Sequence, residues 1–152
     1  VRQHPGARFV SVGQGPLLAE LEGLRDAAGL ADHLRFLGYR PDAARIVSGC
    51  DVFCLSSHHE GLPVALMEAL ALGIPVVATD VGGIAELVTT GVQGLVVPPH
   101  RPDLLAGALA EVVADDDLRR RLAEGARARG DALDAGAATA AVEAHYHRLA
   151  GR

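Results

Sequence analysis

Residues 56–70 read Ser56-Ser57-His58-His59-Glu60-Gly61-Leu62-Pro63-Val64-Ala65-Leu66-Met67-Glu68-Ala69-Leu70. The apolar run 52–55 before them predicts a strand, and Pro63 suits the first position of the following helix, because that position needs no N–H. Glu60 then lies in the strand-to-helix loop, where amides attract anions. Glu68 lies about 140° around the helix from Pro63, at about 100° per residue. Two carboxylates beside an anion-attracting helix start suit a ligand with hydroxyls at one point and phosphate at another, as in a nucleotide sugar.

Short β-rich runs alternate with helical periodicity along the whole chain. The predicted strands are 8–12, 34–37, 51–55, 75–79 and 94–97, and the predicted helices are 16–29, 41–48, 63–72, 83–89, 102–114, 116–129 and 137–149. This alternation predicts an α/β fold with a Rossmann-like, doubly wound parallel sheet. Ligands of such sheets bind at the carboxyl ends of strands. The segments that fall there are 13–15, 38–40 and 57–61.

The spacing Glu60-x7-Glu68 resembles that of the retaining glycosyltransferases of the GT-B fold, family 4 type (glycosyl transferases group 1). Further blocks in the right order are similar to the donor-binding half of these enzymes, namely 9–16, 34–39, 73–88 and 91–99. The resemblance implies the C-terminal domain of a GT-B fold. It also implies a donor domain that binds a nucleoside-diphosphate sugar for retaining transfer of the glycosyl group to an unknown acceptor.

The resemblance further assigns roles to individual residues. Glu60 is implied as the catalytic residue, which would hydrogen-bond the donor sugar hydroxyls with help from the amides of Gly61 and Leu62. Glu68 would bind the ribose hydroxyls. The remaining implied substrate-binding residues are Pro63, which cannot donate an amide, Gly38, Tyr39 and Arg40 by the base, and Gly13 and Gly15 at the edge of the donor site. For the last two glycines, a tight turn into a helix is an equally good interpretation.

Rival site types fit the sequence less well. A dinucleotide fingerprint needs Gly or Ala where Leu18 follows Gly13 and Gly15, and a Walker loop needs a Lys that this chain lacks. Adjacent strand-end residues point apart, so His58-His59 predicts no metal site. Glu60 and Glu68 would reach a ligand from one wall of a cleft, which suits binding better than glycoside hydrolysis. Two further alternatives stay open: a non-catalytic nucleotide-sugar-binding or protein-interaction domain, and a GT-B nucleotide-sugar epimerase.

The length, charge and composition of the chain limit the kinds of partner that it can bind. The 152 residues predict one domain over 1–152, and the net charge of −5 argues against nucleic acid. All 14 basic residues are Arg, which suggests a GC-rich, bacterial genome. We expect a cytoplasmic protein. We expect it to need no cofactor and to use a UDP-, GDP- or ADP-sugar as its donor substrate. No apolar run approaches the roughly 20 residues that span a bilayer, so we expect membrane association only through parts absent from this chain.

One expectation concerns what the sequence lacks. The family's donor half begins with another strand and helix, and residues 1–5 resemble the loop after that unit. We therefore expect an N-terminally truncated domain that lacks this unit and the acceptor-binding N-terminal half, and that ends in a C-terminal helix at 131–152. In the order 3-2-1-4-5-6 the absent strand would lie between 8–12 and 51–55. Those two strands should then leave open edges or pair directly.

Overall fold

The computed structural model describes residues 1, 4–133 and 135–151. The strands are β1 (Phe9–Ser11), β2 (Leu34–Phe36), β3 (Phe53–Leu55), β4 (Val76–Thr79) and β5 (Gly94–Val97). The helices are α1 (Leu18–Ala27), α2 (Ala43–Val47), α3 (Val64–Ala71), α4 (Ile84–Leu87), α5 (Pro102–Ala114), α6 (Asp116–Asp131) and α7 (Ala135–Ala150). Each predicted element is present within about two residues at either end, and all strand pairs are parallel. The chain divides into two compact units, Val1–Ile46 and Val47–Arg152.

The first unit contains β1, α1 and β2. β1 and β2 pair in parallel from Phe9 opposite Leu34 to Ser11 opposite Phe36. The loops after these two strands meet, because the Gly13 amide donates to the Gly38 carbonyl at 2.8 Å. Within the unit, α1 has no buried residue.

The second unit is a layered α/β structure around β4. β4 lies between β3 and β5, and all four of its residues are buried. Successive strand side chains point to opposite faces, and the core divides accordingly. Val76 and Ala78 belong to one buried cluster with residues of α3 and α4, whereas Val77 belongs to a second cluster with residues of α5. Helices on both faces of a parallel sheet define the doubly wound architecture.

Two arrangements were expected at the place of the absent strand. The described strands form two sheets, with orders β1-β2 and β3-β4-β5. Among the described residues, β1 pairs only with β2 and β3 only with β4. Of the two arrangements considered, direct pairing of 8–12 with 51–55 is therefore not found. Among the described strands, one edge of β1 and one edge of β3 stay without a partner, which is the other arrangement expected.

The helices of the described part also bear on membrane insertion. None of them combines the length and apolar character that crossing a bilayer requires.

Candidate functional site

The loop between β3 and α3 holds Glu60 through a chain of hydrogen bonds. The Ser57 hydroxyl donates to Oε1 of Glu60 at 2.7 Å. The Thr79 hydroxyl, at the carboxyl end of β4, donates to the Ser57 carbonyl at 2.5 Å. Thr79 is 5% exposed, so this anchor lies in the core, whereas Glu60 is half-buried at the rim. The sequence predicted the place of Glu60 in this loop but missed Ser57 and Thr79 as its supports.

The loop after β4 lies directly against the loop that carries Glu60. Gly82 has a positive φ of 55°, and a β-carbon built on it would lie 2.0 Å from the Glu60 carbonyl oxygen. The Gly83 amide donates to the Gly61 carbonyl at 2.7 Å. The backbone of 60–61 is therefore positioned by a glycine pair in the next βα loop.

Helix α3 begins one residue later than predicted. Pro63 is its N-cap, with φ −72° and ψ 114°, so Val64 is the first helical residue. The buried Pro63 offers its carbonyl to the amides of Leu66 and Met67, both at 3.2 Å. No side chain caps this helix start, and the amides of its first two residues, Val64 and Ala65, precede the first intrahelical bonds. They are available to an anion.

Glu68 lies on α3 in the same unit and is exposed. It lies five positions after Pro63 along the chain. Among the described residues, no side chain forms an ion pair with its carboxylate. The carboxylate is thus open to a ligand.

The loop after β5 contributes a residue that the sequence did not indicate. His100 has φ 59°, an uncommon value for a residue other than glycine. Its ring lies over that of His58, with centroids 4.3 Å apart and planes inclined by 60°. A tertiary contact of this kind leaves no signal in local sequence pattern. His58 is exposed but has a specific partner.

The first unit, described by itself, contains the predicted residues Gly13, Gly15, Gly38, Tyr39 and Arg40. Gly13 and Gly38 both have positive φ, 136° and 65°, and are joined by the hydrogen bond described above. Tyr39 is 70% exposed. Arg40 donates two hydrogen bonds of 2.8 Å to Asp42, and this contact lowers the pKa of the Asp42 carboxyl. Gly15 lies exposed in the same stretch.

Within residues 1, 4–133 and 135–151, no group of three or more His, Cys, Asp or Glu side chains could hold a metal ion.

Comparison with known proteins identifies a family over most of the chain. Residues 1–129 match the family described as Glycosyl transferases group 1. The Alpha-D-kanosaminyltransferase of Streptomyces kanamyceticus is 34% identical over 127 residues, which cover 82% of this chain and 33% of that enzyme. The chain therefore spans about a third of the length of this relative.

Solved structures give the same result for the fold. Anabaena Alr3699/HepE in complex with UDP superposes with a TM-score of 0.78 at 29% identity, over 83% of this chain and 36% of that chain. The same protein is also known in complex with UDP-glucose. A sucrose-phosphate synthase from Thermosynechococcus elongatus has a TM-score of 0.87 at 31% identity, over 98% of this chain and 40% of that chain. The GT-B fold class predicted from the sequence is thereby confirmed.

Proposed function

This chain belongs to the glycosyl transferases group 1 family, and we propose that it binds a nucleoside-diphosphate sugar as the donor domain of a retaining glycosyltransferase. The observation that carries the proposal is the fixed position of the Glu60 loop. A half-buried carboxylate is held by Ser57 and by the close backbone approach of Gly82, beside an uncapped helix start. Preorganised groups of this kind contribute most to binding and catalysis, because they need no reorganisation when the ligand arrives.

In this proposal Glu60 and Glu68 bind different parts of the donor. Glu60 accepts hydrogen bonds from the sugar hydroxyls and acts as the catalytic residue, and the amides of Gly61 and Leu62 add contacts to the sugar. Pro63 ends the same loop next to the sugar and has no amide hydrogen to donate to it. Glu68, exposed and without an ion-pair partner among the described residues, accepts from the ribose hydroxyls. Bonds between hydroxyls and a carboxylate are charge-assisted, which makes both contacts stronger than neutral ones.

The resemblance assigns the contacts to the base to Gly38, Tyr39 and Arg40. Tyr39 presents an exposed ring that can stack on a nucleobase, and Arg40 is held in place by Asp42. Gly38 and Gly13, joined through their backbones, and the nearby Gly15 border the donor. This part of the proposal rests on the resemblance and on the exposure of the side chains.

The family and its relatives support the proposed donor class. Structures of Anabaena Alr3699/HepE with UDP and UDP-glucose favour a uridine nucleotide, with GDP- and ADP-sugars as alternatives. We propose that binding needs no metal and no further cofactor. We also propose a bacterial, cytoplasmic setting; the two described cysteines form no disulfide, as is usual in a reducing compartment.

Transfer requires more than donor binding. The chain spans about a third of the Alpha-D-kanosaminyltransferase, and we propose that an acceptor-binding half corresponds to part of the rest. Holding donor and acceptor together can lower a barrier by roughly 7–11 kcal/mol. The 152 residues alone should accordingly bind a donor without transferring its sugar to an acceptor.

Calorimetric titration tests the proposal. The purified chain is titrated with UDP, GDP, ADP and UDP-glucose, and we expect one nucleoside diphosphate to bind better than the others. As a control, the Glu124→Gln variant should bind the same ligands as strongly as the unchanged chain, because Glu124 is an exposed helical glutamate outside the site. Absence of binding by all four ligands would overturn the proposal and favour a protein-interaction domain.

A further inference from the structure

The Glu60 side chain is held at one of its two carboxylate oxygens. The Ser57 hydroxyl donates to Oε1 at 2.7 Å, and within the described part of the chain no ion pair involves Glu60. The backbone of Ser57 is fixed separately, because its carbonyl accepts from the hydroxyl of the buried Thr79. The Ser57 side chain therefore controls the direction of the carboxylate rather than the position of the loop.

We propose that Ser57 positions Glu60 so that the site selects a donor sugar with a neutral hydroxyl over a uronic acid, whose ring carries a carboxylate. Ser57 acts through Glu60 and is therefore a positioning residue. This inference rests on the proposed function, because it names the class of sugar that the contact assigned to Glu60 accepts.

The chemistry of the Glu60 carboxylate produces the selection. An ionised carboxylate accepts hydrogen bonds at about four positions and donates none. Ser57 occupies one position at Oε1, which leaves Oε2 to accept from a ligand hydroxyl. A carboxylate on the ligand has no proton to donate and is repelled by the like charge. The repulsion acts wherever on the sugar the second carboxylate lies, because a sugar ring is smaller than the roughly 8 Å over which physiological salt screens charges.

The other charged groups at this edge of the sheet add to the repulsion. The described loops after β3, β4 and β5 contain two acidic residues, Glu60 and Asp80, and one Arg, and the chain has no Lys. The Asp80 amide donates to the Val97 carbonyl at 2.7 Å, which places Asp80 beside the end of β5. Arg101 is bound to Asp103 through two hydrogen bonds. These loops therefore contain no free guanidinium that would attract a carboxylate on the sugar.

Calorimetric titration measures the selection. Each protein is titrated at pH 8, where an ordinary imidazole is uncharged, with UDP, UDP-glucose and UDP-glucuronic acid. The quantity compared is the ratio of the Kd for UDP-glucuronic acid to the Kd for UDP-glucose. Ser57→Ala removes the hydroxyl, Ser57→Thr keeps it, and Glu60→Gln removes the charge. Ser56→Ala is the matched control, because Ser56 is the adjacent serine and is exposed.

For the unchanged chain we expect a ratio of about ten or more, from one unfavourable charge contact. Ser57→Thr and Ser56→Ala should keep this ratio. Ser57→Ala should lower it towards one, because the released carboxylate loses its bond to glucose and turns away from glucuronate. Glu60→Gln should also lower it, through the lost charge. The Kd for UDP should stay within about twofold in all five proteins, because the Thr79 contact still holds the loop.

The outcomes separate this inference from the proposed function. Equal Kd values for the two sugar nucleotides, an unchanged ratio in Ser57→Ala, or a parallel loss of UDP affinity in Ser57→Ala would overturn the inference and leave donor binding intact. If Ser57→Ala does not fold, Ser57→Cys replaces it, because a thiol is only a weak donor, and the same ratio decides. Binding of GDP or ADP without binding of UDP-glucose would overturn the inference alone. Absence of binding by every nucleotide would overturn both.

Discussion

Gly82 lies against the carbonyl group of Glu60. A β-carbon at residue 82 would lie 2.0 Å from the Glu60 oxygen and 2.7 Å from its carbonyl carbon. The φ of 55° at Gly82 is also in the left-handed region, which residues with a β-carbon adopt at a cost. The loop that carries the proposed catalytic carboxylate therefore depends on the absence of a side chain in the neighbouring loop.

Gly82→Ala should lower the free energy of unfolding by about 2–4 kcal/mol, because overpacking and left-handed backbone strain act together. Urea denaturation measures the loss. Gly91→Ala is the control, since Gly91 has φ 83° but open space around its missing β-carbon. For Gly91→Ala we expect the free energy of unfolding to fall by about 1–2 kcal/mol, from backbone strain alone. Equal losses in the two variants would contradict the close approach.

The sequence predicted elements well where local signals define them. Helix α5 has the predicted bounds, 102–114, because Pro102 starts it. Asp115 then accepts a hydrogen bond from the Leu118 amide at 2.8 Å and caps α6. The sequence predicted Pro63 as the first helical residue, but it is the N-cap. The proline ring fixes only φ, whereas the extended ψ of 114° depends on how the loop packs.

The supports of the site could not be predicted in the same way. Glu60 was placed in its loop from the strand-to-helix pattern. Its contact with Gly82, the contact of Ser57 with Thr79, and the contact of His58 with His100 depend on how separate βα loops approach one another. Such approaches are set by packing of the sheet and its helices, and a single sequence carries no local signal for them.

Thr79→Val should lower the free energy of unfolding by about 1–3 kcal/mol, because the Ser57 carbonyl loses its buried donor. The side chains are similar in volume, so packing changes little. Thermal and urea unfolding measure the effect. Thr90→Val is the control, because the exposed Thr90 hydroxyl accepts from the Val96 amide and water can replace it. A Thr79 variant as stable as the Thr90 variant would argue against the anchoring role.

Cys54 should react slowly with iodoacetamide. The residue is exposed, but partial burial of its thiol raises the pKa to about 11. The thiolate is the nucleophile, so roughly one molecule in a thousand is reactive at pH 8, and the rate should rise about tenfold per pH unit up to about pH 10. Mass spectrometry of the Cys50→Ser protein follows Cys54 alone. The same protein unfolded in urea is the control, and equal rates at pH 8 in the folded and unfolded states would contradict the shifted pKa.

Neutralising Glu60 and neutralising Glu68 should weaken binding to different parts of the donor. Glu68→Gln should weaken binding of UDP and UDP-glucose equally, by about 1–3 kcal/mol for a lost charge-assisted hydrogen bond to the ribose. Glu60→Gln should weaken UDP-glucose more than UDP, because its carboxylate is assigned to the sugar. If the chain prefers another base, the corresponding pair of ligands replaces these two. Calorimetry measures both affinities, with Glu124→Gln as the exposed control. Equal losses for both ligands in both variants would rule out this division between Glu60 and Glu68.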